Sequence, residues 1–218
     1  MATRVLVRIF NVLNKAGAGR TKIKVMKISK LINPSPKLVA NAVIIDDNNW
    51  KWDFIESDPL NKTRNFAVYF YVAKQSQEIL KIGSTDGVSG LEGRVRATAN
   101  GNKGTAGGHD FKMQPTILKL LNLGFEIELY ALVNKPEYRE YVFQGEVVRD
   151  ELVDSSPQES RYIGFYKSQH EGKEPPFNFN NKGKSPKKMG LTKAQFVKQD
   201  LQERLTLAKE LCQNVLQS

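Results

Sequence analysis

Two short runs of strand-forming residues, joined by a polar connector, constrain the fold of this chain more than any other feature. The first run is Phe66–Ala73 and the second is Leu80–Thr85. Aromatic and β-branched residues recur in both, and the connector Gln75–Glu78 contains no apolar residue. This pattern predicts a β-hairpin with strands over 68–73 and 79–82.

The residues after this hairpin alternate between helical and strand patterns. Leu91–Ala99 and Pro115–Asn122 predict two helices, separated by a glycine-rich stretch over 101–108. Phe125–Val133 has the two-residue period of a third strand, and Pro136–Leu152 has apolar residues at helical spacing. The predicted order β-β-α-α-β-α indicates an α/β (α+β) protein with a small three-stranded antiparallel sheet flanked by helices.

The residues before the hairpin are predicted to be an N-terminal elaboration over 1–63. Residues 5–13 fit a strand through their alternation and a helix through their apolar stripe, so both assignments stay open. Prolines at 34 and 36 and a turn at Asp46–Asn49 divide this part into short pieces. Such pieces need the central domain, placed over 64–182, to bury them.

The last unit, 183–218, is predicted to combine a basic linker with a terminal amphipathic helix. A capping box at Thr192–Gln195 marks the start of the helix. Its apolar stripe consists of Ala194, Val197, Leu201, Leu205, Ala208, Cys212 and Val215. A terminal helix of this kind more often docks on its own domain than on a partner, and dimerisation through it is the alternative.

Composition excludes several protein classes. No apolar run approaches the roughly 20 residues of a membrane helix, and the N-terminus lacks the pattern of a signal peptide. The single cysteine, Cys212, cannot form an internal disulfide, and its place in the stripe predicts a buried apolar role. A cytoplasmic protein without a membrane partner is expected.

The charge favours a polyanionic partner. The chain has 33 Lys and Arg against 23 Asp and Glu, a formal net charge of +10. One basic cluster, at Lys22, Lys24, Lys27 and Lys30, lies near the N-terminus, and a second follows an asparagine-rich loop. The candidate nucleic-acid contacts are Arg96, Lys103, Lys182, Lys184, Lys187 and Lys188.

The central domain resembles the GIY-YIG nuclease family over Arg64 to Lys182. That family has a tyrosine on each of its first two strands, an arginine on the first helix, a glutamate on a later helix and a late asparagine. Here Tyr71 looks like the first tyrosine, and Lys81-Ile82-Gly83 looks like the second motif, with lysine replacing tyrosine. The remaining counterparts are Arg94 in Leu91-Glu92-Gly93-Arg94, Glu146 within the predicted helix 136–152, and Asn178 after Pro175-Pro176-Phe177.

The resemblance implies catalytic roles for these five residues. Tyr71 would take the proton of the attacking water, and the neighbouring Lys81 ammonium would lower the phenol pKa from its ordinary value of about 10. Arg94 would bind the scissile phosphate bidentately, and Asn178 would position a water or the substrate backbone. Glu146 would hold one divalent metal, Mg²⁺ or in its place Mn²⁺.

Departures from the family pattern leave alternatives open. The first motif lacks its usual glycine, so a register shift of two would bring Tyr69 rather than Tyr71 to the site. Thr98 stands where many members have histidine or tyrosine, and is an alternative catalytic position. Tyr162-Ile163-Gly164 spells the second motif but follows the predicted glutamate, so a loop or edge segment is expected there. His109 and His170 are expected to be exposed.

The resemblance therefore implies a metal-dependent DNA endonuclease of restriction or mobile-element type. Its substrate would be double-stranded DNA, contacted partly by residues 1–63, and a palindromic site would call for a homodimer. The first alternative is a nucleic-acid-binding protein that keeps the fold without hydrolysis. The second is a regulatory or structural protein whose basic charge is incidental.

Overall fold

The computed structural model describes residues 28, 35–55, 62, 66–100, 109–134, 138–151, 155–178, 189–190 and 192–213. The strands are β1 (Lys37–Asp46), β2 (Asn49–Phe54), β3 (Phe66–Ala73), β4 (Glu78–Thr85), β5 (Ile127–Asn134), β6 (Tyr138–Phe143) and β7 (Glu146–Glu151). The helices are α1 (Gly90–Ala99), α2 (His109–Asn122), α3 (Ser156–Gln169) and α4 (Lys193–Gln213). No helix in these ranges is long and apolar enough to cross a membrane.

The central sheet has five antiparallel strands in the order β2-β1-β5-β3-β4. The three predicted strands are confirmed as β3, β4 and β5, which are neighbours in this sheet. The expected three-stranded sheet was too small, because β1 and β2 extend it beyond β5. The protein is α+β, as expected.

The β1–β2 hairpin was predicted only through its turn. The Asp46 carboxylate accepts hydrogen bonds from the Asn48 backbone N–H and the Asn49 side-chain amide, each at 2.9 Å, and these bonds close the turn. Trp50 and Trp52 are buried, and the Trp50 indole donates to the Gln114 carbonyl oxygen at 3.1 Å. Only Lys51 separates the two tryptophans in sequence, and both are buried in the cluster that includes residues of α1, α2 and α4.

The predicted helix over 136–152 is wrong. Residues 138–151 form the hairpin β6–β7, a separate two-stranded sheet. Its two-residue turn, Gln144-Gly145, has positive φ at both positions, 52° and 85°. Positive φ at both central residues is typical of the type I′ turn, which joins antiparallel strands and cannot continue a right-handed helix.

The two faces of the central sheet bury different side chains of β3. Tyr69 and Tyr71 lie on the face that packs with residues of α1, α2 and α4. Val68, Phe70 and Val72 lie on the opposite face with Tyr166 of α3. The alternation places the candidate tyrosines under α1.

Helix α4 docks on its own domain, as the more common alternative predicted. The Thr192 hydroxyl and Gln195 side chain form the capping box, and Gln195 N–H donates to Thr192 Oγ1 at 3.3 Å. Leu205, Ala208 and Cys212 are buried in the cluster that includes α2. The described part of the apolar stripe, which includes these three residues, is therefore buried inside the protein.

Several sequence predictions lie outside the described residues. They concern residues 5–13, the cluster at Lys22, Lys24, Lys27 and Lys30, and the stretch 101–108 with Lys103. They also include Lys182, Lys184, Lys187 and Lys188. The unit boundaries at 63 and 182 stay predictions.

Candidate active site at the edge of the central sheet

Tyr69 lies directly over the second motif. In the β3–β4 pair, Tyr69 stands opposite Gly83. A Cβ atom added to Gly83 would lie 2.5 Å from Cζ and 2.6 Å from the hydroxyl oxygen of Tyr69. The Tyr69 ring therefore rests on the Gly83 backbone, and glycine is required for this close approach.

Tyr71 shares this face but points elsewhere. Its ring centroid lies 4.9 Å from that of Trp52 and 5.6 Å from that of Tyr69. Trp52 belongs to β2, at the opposite end of the strand order from β4. Tyr71 thus contacts the aromatic interior of the sheet, whereas Tyr69 reaches toward the edge strand.

Lys81 is buried beside these tyrosines. It pairs with Tyr71 across the two strands, and only 9% of it is exposed. A solvated strand lysine would not be buried to this extent, since removing an ammonium from water is costly without compensating interactions. Lys81 is therefore a buried basic residue paired with one of the two tyrosines, and its catalytic role stays a prediction.

Helix α1, which contains Arg94, packs on the same face of the sheet. Its buried residues Leu91 and Val95 join the cluster that contains both tyrosines. Gly93 permits the tight start of this helix, because a Cβ there would lie 2.2 Å from Ser89 Cβ. Arg94 is half-buried next to Val95. The Leu-Glu-Gly-Arg motif therefore serves the packing of the helix, and the catalytic role of Arg94 stays a prediction.

The other candidates on α1 differ in setting. Thr98 is fully buried, so it belongs to the packing of the helix. Arg96 is exposed and forms an ion pair with Glu92 at 2.6 Å, and its guanidinium lies 5.8 Å from the Phe54 ring centroid. A nucleic-acid contact by Arg96 stays a prediction.

Asn178 is bonded to the second motif through its side chain. Its Oδ1 accepts from the Ile82 backbone N–H and its Nδ2 donates to the Ile82 carbonyl, both at 2.8 Å. The Phe177 N–H also donates to the Leu80 carbonyl at 2.8 Å. Residues 177–178 thus cover the outer edge of β4, and the Asn178 amide holds Lys81-Ile82-Gly83 in place.

Glu146 lies in strand β7, not in the predicted helix. It is the first residue after the Gln144-Gly145 turn, its side chain is exposed, and its partner is Phe143. Its strand belongs to the separate two-stranded sheet. The structure therefore does not join Glu146 to the face that carries Tyr69, Tyr71 and Lys81.

Another glutamate does reach the second motif. Glu159 lies in the first turn of α3, the first helix after β5, and its carboxylate accepts a hydrogen bond from the Ser84 hydroxyl. Ser84 follows Gly83 directly in β4, which is the edge strand. Glu159 therefore approaches β4 from the face opposite to the one that carries Tyr69, Tyr71 and Lys81.

Sequence reasoning missed Glu159 because the predicted helix ended before it. The signal was present in Ser155-Ser156-Pro157, where serine and proline mark a helix start. Tyr162-Ile163-Gly164 was expected in a loop or edge segment but lies inside α3.

The donor set suits a hard cation that keeps most of its water. Among the described residues, no group of three His, Cys, Asp or Glu side chains could enclose a metal ion. Mg²⁺ is commonly bound by one or two carboxylates together with waters and substrate phosphates. The half-buried Glu159, whose carboxylate is bonded to Ser84, fits that pattern.

His170 is buried, contrary to expectation. Its ring stacks on Tyr166 with centroids 3.8 Å apart, and its Nδ1 lies 2.9 Å from the Tyr166 carbonyl oxygen. Burial, with the Glu78 charge as the second cause, raises the pKa of Tyr166 and raises that of the Cys212 thiol to about 12. This cluster is structural. The side chain of His109 lies outside the described residues.

Comparison with known proteins finds only weak structural similarities. No family model matches the chain, and no curated protein matches its sequence. The structure is similar to restriction endonuclease HPY188I in complex with product DNA, with 21% identity, 64% of this chain and 78% of that chain covered, and a TM-score of 0.37. It is also similar to a mutant of bacteriophage T4 EndoII, with 15% identity, 71% and 99% coverage, and a TM-score of 0.47. Both TM-scores are below 0.5, so neither similarity establishes the fold or the function of this chain.

Proposed function

We propose that this chain is a metal-dependent DNA endonuclease of the GIY-YIG type. The observation that carries the proposal is the close approach of the Tyr69 ring to Gly83 in the edge strand β4, which also contains the buried Lys81 and the hydrogen-bond partner of Glu159. The Tyr69 phenol rests on Gly83, the Lys81 ammonium is buried two residues before it, and the Glu159 carboxylate binds the next residue. Helix α1, which contains Arg94, packs on the face of the sheet that carries Tyr69.

These groups match the needs of phosphodiester hydrolysis. The attacking water must lose a proton, and negative charge on the phosphate must be stabilised. Tyr69, which reaches toward the edge strand, is the proposed proton acceptor. Arg94 holds the scissile phosphate through two parallel hydrogen bonds, and Lys81 supplies fixed positive charge beside the phenols.

Glu159 is the proposed metal-binding residue, in place of Glu146. A bound Mg²⁺ supplies positive charge for the phosphate and for the departing oxygen. The Ser84 hydroxyl orients the Glu159 carboxylate at the end of β4. Asn178 acts as a positioning residue, because both ends of its amide are bonded to the Ile82 backbone.

DNA is the proposed substrate because of the charge of the whole chain. A formal net charge of +10 attracts a polyanion and releases its counterions. Binding is therefore expected to weaken steeply as salt concentration rises. A nucleic-acid-binding protein without hydrolysis would show the same salt dependence, so cleavage must be measured separately.

The experiment is incubation of the purified chain with supercoiled plasmid and Mg²⁺, alone and with EDTA. Lys81→Met is the test variant, because it keeps the length of the buried side chain and removes its charge. Lys74→Met is the matched control, since Lys74 is exposed and pairs with Glu126 at 2.6 Å. We expect cleavage by the wild type and by Lys74→Met, and none with EDTA or Lys81→Met. Intact plasmid with a salt-sensitive mobility shift would favour the binding protein instead.

A further inference from the structure

Residues 175–178, which we call the clip, hold the edge strand β4 from outside the sheet. The Phe177 N–H donates to the Leu80 carbonyl oxygen at 2.8 Å. The Asn178 side chain is bonded to both backbone groups of Ile82, also at 2.8 Å. The backbone of the second motif is therefore held where the clip lies.

Arg204 of α4 joins the clip to the terminal helix. Its Nη1 donates to the Pro176 carbonyl oxygen at 3.0 Å, and its Nε donates to the Asp200 carboxylate, one turn earlier, at 3.0 Å. The Arg204 side chain is 14% exposed and that of Asp200 is 6% exposed. One planar guanidinium thus reaches a side chain of α4 and the backbone of the clip at the same time.

The ion pair alone does not account for a buried arginine at this position. Taking two charges out of water costs about as much as their attraction returns, and apolar residues can often replace a buried pair without loss of stability. Leu205 and Ala208 already anchor α4 in the core, in the cluster that also contains Phe177. The hydrogen bond to the Pro176 carbonyl is the contact that an apolar residue could not supply.

We propose that Arg204 is a positioning residue, which fixes Pro176 and, through the clip, sets the position of Lys81 and Gly83. The inference rests on the proposed function, because these residues belong to the proposed active site. Without the bond to Pro176 the clip can move away from β4, so that Lys81 and the Tyr69 ring on Gly83 shift relative to the phosphate. A displacement of about 1 Å can lower a rate by about 100-fold.

Two variants separate positioning from stabilisation. Arg204→Lys keeps a positive charge beside Asp200, but an ammonium does not reproduce the fork that reaches both acceptors. Asp200→Leu with Arg204→Met removes both charges together, so no buried carboxylate is left without its cation. Both proteins should have urea unfolding midpoints close to that of the wild type. Thr206→Ala is the matched control, since Thr206 is exposed on α4 and its hydroxyl bonds to the Gln202 carbonyl of the same helix at 3.0 Å.

The first measurement is amide hydrogen exchange by NMR, which needs no activity. The Ile82 and Phe177 N–H groups are the backbone donors in the bonds between the clip and β4. We expect both amides to exchange about 10-fold faster or more in the two Arg204 variants, because the lost hydrogen bond favours local opening. Thr206→Ala should exchange like the wild type. Unchanged exchange in both Arg204 variants would overturn the proposal.

The second measurement is the single-turnover cleavage rate of a plasmid in Mg²⁺, with DNA affinity measured in parallel. The two Arg204 variants should cleave about 10-fold more slowly or less at unchanged DNA affinity, whereas Thr206→Ala should cleave at the wild-type rate. Wild-type cleavage rates in the Arg204 variants would overturn their positioning role and leave the proposed function intact. A wild type that does not cleave would overturn the proposed function, and with it the role of Arg204 in catalysis.

Discussion

Tyr69 and Tyr71 share one face of β3 but contact different neighbours. Tyr69 rests on Gly83 at the edge strand, whereas Tyr71 packs against Trp52 in the interior. Sequence could establish that both lie on one face, because they are two residues apart in a strand. It could not show which one leans toward β4, because that depends on the rotamers chosen in packing.

Removing the hydroxyl group of each tyrosine in turn distinguishes their proposed roles in catalysis. Tyr69→Phe should lower the single-turnover cleavage rate by about 100-fold or more, the usual contribution of a positioned base. Tyr71→Phe should cleave at nearly the wild-type rate, because its ring keeps the contact with Trp52. The measurement is the cleavage rate of a radiolabelled duplex at saturating enzyme. Equal losses in both variants would mean that the phenols act together.

Gly83 offers a steric test of the same geometry. Gly83→Ala places a methyl group 2.5 Å from Tyr69 Cζ, so the ring must move. We expect a loss of about 1 to 3 kcal/mol in the free energy of unfolding and a loss of cleavage. Gly164→Ala in α3 is the control, since no atom lies within 4 Å of the added carbon. It should leave stability unchanged or raise it by up to about 1 kcal/mol in urea unfolding.

Among the secondary-structure elements, the hairpin β6–β7 shows where sequence periodicity fails. Tyr138, Tyr141 and Val148 satisfy helical spacing, yet the same stretch contains alternating β-branched and aromatic residues. The Gln144-Gly145 turn decides between the two patterns, because both residues adopt positive φ. Because the helix does not form, Glu146 was also the wrong choice for the glutamate of a helix, and the prediction of the metal-binding residue rested on it.

The edge of β4 is predicted to depend on Asn178. Asn178→Ala removes both hydrogen bonds to the Ile82 backbone and should cost about 1 to 3 kcal/mol of unfolding free energy, as well as cleavage. Asn122→Ala is the control, because Asn122 is exposed at the end of α2 and should change stability by less than about 0.5 kcal/mol. Urea unfolding followed by tryptophan fluorescence measures both. If the Asn178→Ala protein were as stable as the wild type, the two hydrogen bonds to the Ile82 backbone would not stabilise the fold.

On the scale of the whole molecule, part of the central sheet and of the helices packed on it could be predicted from the sequence. Strands β3, β4 and β5 with helices α1 and α2 follow from local patterns. The extension of the sheet by β1 and β2 does not, because the burial of Trp50 and Trp52 needs α2 and β5 to be in place. Long-range packing, rather than local propensity, completes the sheet.

Stability at alkaline pH should reveal the burial of the Cys212 thiol on α4. The fold raises the pKa of the Cys212 thiol from 9.0 to about 12, mainly by burial. Below pH 9 the thiol is neutral in both the folded and the unfolded protein. Above pH 9 it ionises in the unfolded protein first, so the free energy of unfolding falls as pH rises from 9 to about 12, by up to about 1.4 kcal/mol per pH unit. Tyr166, whose pKa is also raised, acts in the same direction.

Cys212→Ala isolates the thiol contribution. The free energy of unfolding of the wild type, measured in urea at pH 8 to 11, should fall more steeply than that of Cys212→Ala above pH 9. The difference between the two proteins should be constant below pH 9, where the thiol is neutral in both states. Parallel profiles up to pH 11 would show that Cys212 is accessible to solvent in the native protein.

The most direct test of the central claim compares two glutamates that sequence and structure assign differently. Single-turnover cleavage of a plasmid in Mg²⁺ is measured for the wild type, Glu159→Gln and Glu146→Gln, with each protein checked for its unfolding midpoint. Glu159→Gln should abolish cleavage while DNA binding persists, because its carboxylate meets Ser84 beside the second motif. Glu146→Gln should cleave like the wild type, because Glu146 is exposed in the separate sheet. Full activity in Glu159→Gln, or loss of activity in Glu146→Gln alone, would contradict an active site at the edge of β4.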